Sequence, residues 1–301
     1  MKRKQRILWI ALSTVAVAAL AFGICVSNYY HATDMALDAF EAKDGIRVKS
    51  VDGVFCLETS GSTDGLVFYP GGKVQAEAYL PLLRRVAGRG IDCYLVKMPF
   101  NLAVFGVDRA SGVMAAHPHE RWFLAGHSLG GAMASRWAAA HPGELDGLVL
   151  LAAYPTQKLP EELKVLVLYG SEDGVLNRVN LENNLGLLPS NAVVEQLPGG
   201  NHAYFGSYGE QNGDGAATIT PDEQWDWTVD EIGKLVNSDL SRAYARLKGD
   251  RSPFNTSSSD LPEIAGDFRA ANLQGSLFCS GRQAPCRKKG PARGIHAAAY
   301  D

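Results

Sequence analysis

The sequence predicts an α/β domain, a mostly parallel sheet with helices on both faces, preceded by one N-terminal apolar helix. Three observations carry this. Between about residues 48 and 248, short apolar runs alternate with stretches whose apolar residues recur at the 3.6-residue helical period. Several runs, such as Leu66-Val67-Phe68-Tyr69, are apolar at every position, as expected of strands buried on both faces of a parallel sheet. Ahead of them stand twenty positions, Ile7 to Val26, without a charge.

That first run follows Lys2, Arg3, Lys4 and Arg6. At about 1.5 Å per residue it spans a bilayer core of roughly 30 Å, which predicts a membrane segment. Cations on its short N-terminal flank predict that this end stays in the cytoplasm and the rest is exported. A cleavable signal peptide shares the arrangement. The length of the run, and the poor small-x-small site in Phe22-Gly23-Ile24-Cys25, favour an uncleaved anchor and speak against a lipid-modified Cys25. The expected organisation is a basic end and anchor at 1–27, a stalk of mixed charge at 28–47, a folded domain at 48–248, and a tail at 249–301. The stalk reads as partly helical from Asp34 to Ala42. The tail holds Ser252-Pro253, Thr256-Ser257-Ser258-Ser259 and Arg287-Lys288-Lys289-Gly290-Pro291 without apolar periodicity, and reads as disordered.

Within the domain, Val51 to Leu57 reads as a strand and Gly61-Ser62-Thr63-Asp64-Gly65 as a turn. Leu66 to Tyr69 is the second strand and ends in Pro70-Gly71-Gly72-Lys73. Tyr79, Leu82, Leu83, Val86 and Ala87 form the stripe of a helix. Ile91 to Met98 is a strand, and Leu102 to His117 a helix after a loop. Arg121 to His127 rises as a strand into Gly126-His127-Ser128-Leu129-Gly130, from which a helix continues with Met133, Ala134, Trp137 and Ala138 on its inner face. Leu145 to Ala153, Leu163 to Tyr169 and Ala192 to Leu197 are further strands. Asn180 to Leu188 and Trp225 to Val236 are further helices.

Composition narrows the function classes. With 301 residues, 46% hydrophobic and 20% charged, the chain has the make-up of a folded protein, and a formal net charge of -3 offers no basic face for nucleic acid. No Cys/His spacing matches a zinc site, so no metal and no cofactor are expected. Cys56 and Cys93 fall in strands, either bridged or as buried thiols. Asn212-Gly213-Asp214-Gly215 lacks the later ligands of a calcium loop and reads as a turn.

The chemistry gathers around Ser128. A serine between two glycines at a strand-to-helix turn is held where its hydroxyl stands clear of the sheet, which makes it a candidate nucleophile. A hydroxyl is a weak nucleophile at neutral pH and needs a base, with a third group to orient that base. In a parallel sheet the loops at the carboxyl ends of the strands converge on one edge. Leu163 to Tyr169 opens there into Gly170-Ser171-Glu172-Asp173-Gly174, and Ala192 to Leu197 into Pro198-Gly199-Gly200-Asn201-His202. An acid and an imidazole are thereby expected beside Ser128.

The elbow, the order Ser128, Asp173, His202, the Tyr-Pro-Gly-Gly loop and the Gly-Gly-Asn-His-Ala motif together resemble the alpha/beta hydrolases, over about Val48 to Lys248. The similarity is greatest to small lidless members related to dienelactone hydrolases. The resemblance implies His202 as general base and later general acid, with Asp173, rather than its neighbour Glu172, holding the imidazole. It also implies an oxyanion hole formed by the amide of Leu129 and by that of Gly72 or Lys73. His127 is expected to pack against its neighbours, and the remaining histidines to be solvated. The linker Tyr154 to Glu162 is too short for a helical lid, so the site should be open. Tyr204, Phe205, Tyr208 and Trp225 either wall it or pack the last helix. The expectation is a membrane-anchored serine hydrolase acting on a small-molecule carboxylic ester outside the cytoplasmic membrane. A peptidase or thioesterase would share the triad, and a silent binding module would share the fold.

Overall fold

The strands of the computed structural model, which describes residues 3–41 and 45–247, are β1 (Arg47–Val51), β2 (Val54–Glu58), β3 (Asp64–Tyr69), β4 (Asp92–Val96), β5 (Arg121–His127), β6 (Gly147–Leu151), β7 (Lys164–Gly170) and β8 (Val193–Leu197). They form one sheet in the order β1, β2, β4, β3, β5, β6, β7, β8. β2 runs antiparallel to both β1 and β4, and every pair from β4 to β8 is parallel. The domain helices are α3 (Leu80–Ala87), α4 (Arg109–Ala116), α5 (Leu129–Ala140), α6 (Arg178–Asn184) and α7 (Pro221–Leu247). The expected tail from residue 249, with Cys279 and Cys286, lies outside the described residues.

Alternation along the strands sorts side chains into two cores. Leu66, Phe68, Phe123, Ala125, Val149, Leu151, Leu166 and Leu168 pack on one side with α3 and with Trp225, Val229, Ile232 and Val236 of α7. Val67, Tyr69, Leu124, Leu148, Leu150, Val165 and Val167 pack on the other with Ala110, Val113, Ala134 and Trp137 of α4 and α5. Each fully buried Leu, Val or Phe contributes about 1.5–3 kcal/mol relative to exposure. Strands covered on both faces therefore hold the edge that bears the site. Arg121, entering β5, grips Asp64 of β3 with two hydrogen bonds of 2.7 Å and donates a third to Val236 O of α7.

Four features depart from the expectations or add to them. The single strand Val51 to Leu57 is a hairpin, because Asp52 (φ 48°) and Gly53 (φ 77°) adopt the left-handed pair of a two-residue turn. The helix expected from Leu102 to His117 divides at Gly106 into a short turn at Ala103–Phe105 and α4. β8 is an edge strand, with Val193 and Val194 exposed. His119 is not solvated: its side chain is 6% exposed and its Nε2 meets Tyr94 Oη at 2.8 Å.

At the N-terminus, α1 (Arg3–Ser27) is long and apolar enough to cross a membrane, at about 37 Å for 25 residues. The chain then lies against the domain. Tyr30 forms a bridge with Val74, Thr33 bonds through backbone and hydroxyl to Ser207, and α2 (Asp34–Asp38) buries Ala36.

Cys56 and Cys93 sit on neighbouring strands but belong to opposite cores, and both are free thiols. Burial, with Glu58 adding to it, pushes the Cys56 thiol up to about 11, which removes the reactive thiolate. An alkylating reagent should therefore modify neither thiol in the native protein. Both should react in denaturant without prior reduction, and a proteolytic peptide pair joining Cys56 to Cys93, two hydrogens lighter than the free peptides, would contradict their placement.

Candidate active site

Four loops at the carboxyl edge of the sheet build the site. β5 ends at His127, and Ser128 turns the chain into α5 with φ 51° and ψ -121°, a conformation strained for any residue with a Cβ. Its amide donates to Leu151 O (2.9 Å) and its carbonyl accepts from Ala132 N–H (3.0 Å), so the strain is held from both sides. The turn closes because the glycines around it tolerate backbone at zero clearance. A Cβ on Gly126 would lie 2.6 Å from Gly130 C, and one on Gly130 would lie 2.2 Å from Tyr69 O. The second contact ties the start of α5 to the end of β3.

Asp173 follows β7 and His202 follows β8. Both are buried, at 4% and 1% exposure, and His202 Nδ1 lies 2.9 Å from Asp173 Oδ2 and 3.1 Å from Oδ1. Asp173 Oδ1 also accepts from the backbone amides of Val175 (2.9 Å) and Leu176 (2.7 Å). A buried carboxylate requires such partners, and here they fix its rotamer toward the imidazole. Glu172 points elsewhere: it is exposed and accepts from Ser171 Oγ. The His202 ring rests on that of His127, the residue before Ser128, with centroids 4.5 Å apart. Its Nε2 is buried with no hydrogen-bond partner among the described residues. Ser128 Oγ makes no hydrogen bond to that nitrogen among the described residues, and such contacts often tighten only when substrate binds.

The loop after β3 approaches from the other side. A Cβ on Gly72 would lie 2.8 Å from Leu129 Cδ2, so this loop and the first residue of α5 face each other. Leu129 N–H, at the first turn of a helix, has no intrahelical acceptor. Of the two residues expected to supply the second donor, Lys73 has its amide committed to Asn101 O at 2.7 Å, and it is Gly72 whose amide has no partner among the described hydrogen bonds. Gly71 N–H is engaged by Tyr79 Oη (3.0 Å).

Two contributors escaped sequence reasoning. Asp214, in the segment read as a plain turn, accepts from Gly174 N–H (3.1 Å), His202 N–H (3.2 Å), Gly215 N–H (2.9 Å) and Ala203 N–H (2.8 Å). It thus joins the loop carrying Asp173 to the loop carrying His202. Gln224, fully buried on α7, exchanges hydrogen bonds with both backbone groups of Asn201, at 3.1 and 2.9 Å. An aspartate among glycines is a signal for a loop that gathers amides, but apart from the adjacent Gly215 its partners are 11 to 40 residues away. Of the four aromatic residues that could have walled the site, Phe205, Tyr208 and Trp225 are buried in the core that α7 covers, and Tyr204 is half-exposed.

His127 is the buried neighbour of the elbow. Its Nδ1 lies 2.8 Å from Tyr79 Oη, which already accepts from Gly71 and so has its own proton to donate. Burial first, and then the charge that His202 acquires, hold the His127 imidazole well below its ordinary value of 6.5. The folded value is depressed, so the stability His127 contributes is complete above pH 6.5 and is lost as pH falls below it. The stability advantage of wild type over His127→Gln, measured by urea unfolding, should shrink by about 1 kcal/mol between pH 7.5 and 5.5. A constant difference would remove His127 as the group responsible.

A family model described as the Alpha/beta hydrolase family matches residues 65–226, a range that includes Gly72, Ser128, Asp173 and His202. No curated protein matches. Among solved structures, alpha/beta hydrolase domain-containing protein 10 from mouse shares 11% identity at a TM-score of 0.50, over 64% of this chain and 98% of that one. A predicted CIB-like hydrolase from Thermoplasma acidophilum shares 18% at 0.46, over 62% and 96%. A carboxylesterase from Bacillus subtilis shares 11% at 0.48, over 67% and 95%.

Proposed function

Because the chain belongs to the alpha/beta hydrolase family, we propose that it is a serine hydrolase that cleaves carboxylic esters through an acyl-enzyme. The observation that carries this reading is the buried Asp173–His202 pair at 2.9 Å, whose imidazole lies against His127, the residue before a serine strained at φ 51°. His202 Nε2 takes the proton of Ser128 Oγ as the oxygen attacks the ester carbonyl. Nδ1–H of the resulting imidazolium stays on Asp173, whose carboxylate stabilises the positive charge. The carbonyl oxygen, now an oxyanion, is met by the amides of Leu129 and Gly72. Collapse expels the alcohol, which takes the proton back from His202. Water, activated by the same nitrogen, then attacks the acyl-enzyme and releases the carboxylic acid.

The substrate side of the proposal is an open site. Residues 154–162 contain no helix, so this linker supplies no helical lid, in keeping with the resemblance to small lidless members related to dienelactone hydrolases. That suits small or surface-presented esters better than long chains drawn into a tunnel. We also take α1 as an uncleaved anchor with the domain on the extracytoplasmic side, supported by Arg3, Lys4 and Arg6 before the uncharged run and by exposure along the helix.

Ser128→Ala should abolish hydrolysis of a short-acyl chromogenic ester and labelling by a fluorophosphonate while leaving the circular dichroism unchanged. Asp173→Asn should lower kcat by roughly 10³- to 10⁴-fold, because the imidazole would lose its orienting charge. Glu172→Gln should stay within a few-fold of wild type. Wild-type protein that folds but does not label with the probe would instead identify a silent binding module. Turnover surviving in Ser128→Ala would end the acyl-enzyme mechanism.

A further inference from the structure

The loop after β4 presents Pro99, Phe100, Val104 and Phe105 to solvent, with Phe100 and Phe105 more than half exposed. Such a cluster of large apolar side chains on one loop marks an interaction surface. Its backbone is strained as well: Phe100 has φ 57° and Asn101 φ 55°, the left-handed region in which an aromatic residue is rare.

The two rings converge on α1. Phe22 meets Phe100 edge-on with centroids 5.3 Å apart and Phe105 at 6.1 Å, while Phe100 and Phe105 are 5.7 Å from one another. Phe22 lies four residues before Val26, the end of the uncharged run, hence roughly 6 Å inside it along the helix axis. Where α1 crosses a bilayer, rings in contact with Phe22 lie at its depth. A second tether begins just past the helix. Tyr30 N–H donates to Lys73 O (2.7 Å), Gln75 N–H donates to Tyr30 O (2.9 Å), and Lys73 N–H donates to Asn101 O (2.7 Å). The exit of α1, the loop after β3 and the apolar loop are therefore hydrogen-bonded into one unit, on the edge of the sheet that carries Ser128.

We infer that the loop from Pro99 to Phe105 is a membrane-docking surface, seated in the leaflet from which α1 emerges. The site then opens at the boundary between lipid and water and receives esters whose carbonyl lies at headgroup depth. This rests on α1 being an uncleaved anchor, and its substrate part rests on Ser128 being the nucleophile.

Depth can be read without catalysis. In full-length chain with Cys25, Cys279 and Cys286 changed to serine, Val104→Cys or Glu120→Cys is labelled with an environment-sensitive fluorophore and reconstituted into phosphatidylcholine vesicles with and without doxyl-labelled lipid. Glu120 precedes β5 and so lies at the opposite end of that strand from Ser128. The label at 104 should be blue-shifted and quenched by the doxyl lipid, and the label at 120 should be neither. A label at 104 as wet as that at 120, in chain that resists alkaline extraction, overturns docking and leaves the anchor standing. Chain released by alkali overturns the anchor and this inference with it.

The second measurement is turnover by Phe100→Asn/Phe105→Ser, in which asparagine retains the left-handed backbone and the Lys73 bond. Hydrolysis of a fluorogenic ester embedded in the vesicles should fall on the order of tenfold, with a water-soluble short-acyl ester unaffected. Equal rates on both esters would overturn the substrate part. Absence of any turnover in wild type would fall on the nucleophile assignment, and the fluorescence result would still decide docking.

Discussion

A serine held at φ 51° needs the surrounding backbone to be close enough that it has nowhere else to go, and the site depends on that constraint. The elbow is compressed between the end of β3 and the start of α5, with Gly126 and Gly130 giving contacts that no larger residue could make. The same compression brings the loop after β3 against the first residue of α5, where a Cβ on Gly72 would lie 2.8 Å from Leu129 Cδ2. The strain at Ser128 and the packing of Gly72 against Leu129 are thus consequences of one close approach. The sheet supplies the force to hold it, since β3 and β5 are adjacent, parallel and buried on both faces.

Charge adds a second layer. Two carboxylates sit in an edge with little solvent, and each is surrounded by backbone amides instead of cationic side chains. Asp173 takes two amides and the imidazole, and Asp214 takes four amides from three segments. Amides cannot change protonation and have no rotamers, so loops bonded this way are positioned by rigid groups. The chain that leaves α1 is hydrogen-bonded through Tyr30 to Lys73 in the loop after β3, which makes the N-terminal segment a part of that edge of the sheet.

Much of the fold was legible because burial on both faces leaves a plain mark: runs such as Leu66 to Tyr69 and Leu163 to Tyr169 have little freedom to be anything but inner strands. Ser128, Asp173 and His202 could be singled out as candidates because each follows a strand of the parallel part of the sheet, whose topology gathers the ensuing segments on one edge. Other features left no such mark. Asp52-Gly53 divides what reads as one strand, since apolar residues flank the turn on both sides. Cys56 and Cys93 invite pairing until the alternation of the two strands sends their thiols to opposite faces. Lys73 and Gly72 are equivalent as text, and only the acceptor at Asn101, in a different loop, separates them.

The sequence by itself determined most of the alternation of strands and helices, the uncharged N-terminal run and the candidates Ser128, Asp173 and His202 beyond β5, β7 and β8, because local period, composition and chain order are properties of neighbours along the chain. The tertiary structure decided which partners those residues have. Asp214 holding two loops together, Tyr79 bonded to His127, and Phe22 resting on Phe100 and Phe105 all join segments separated by 11 to 83 positions. Contacts at that separation depend on how the sheet twists and its loops close, and no local pattern encodes them.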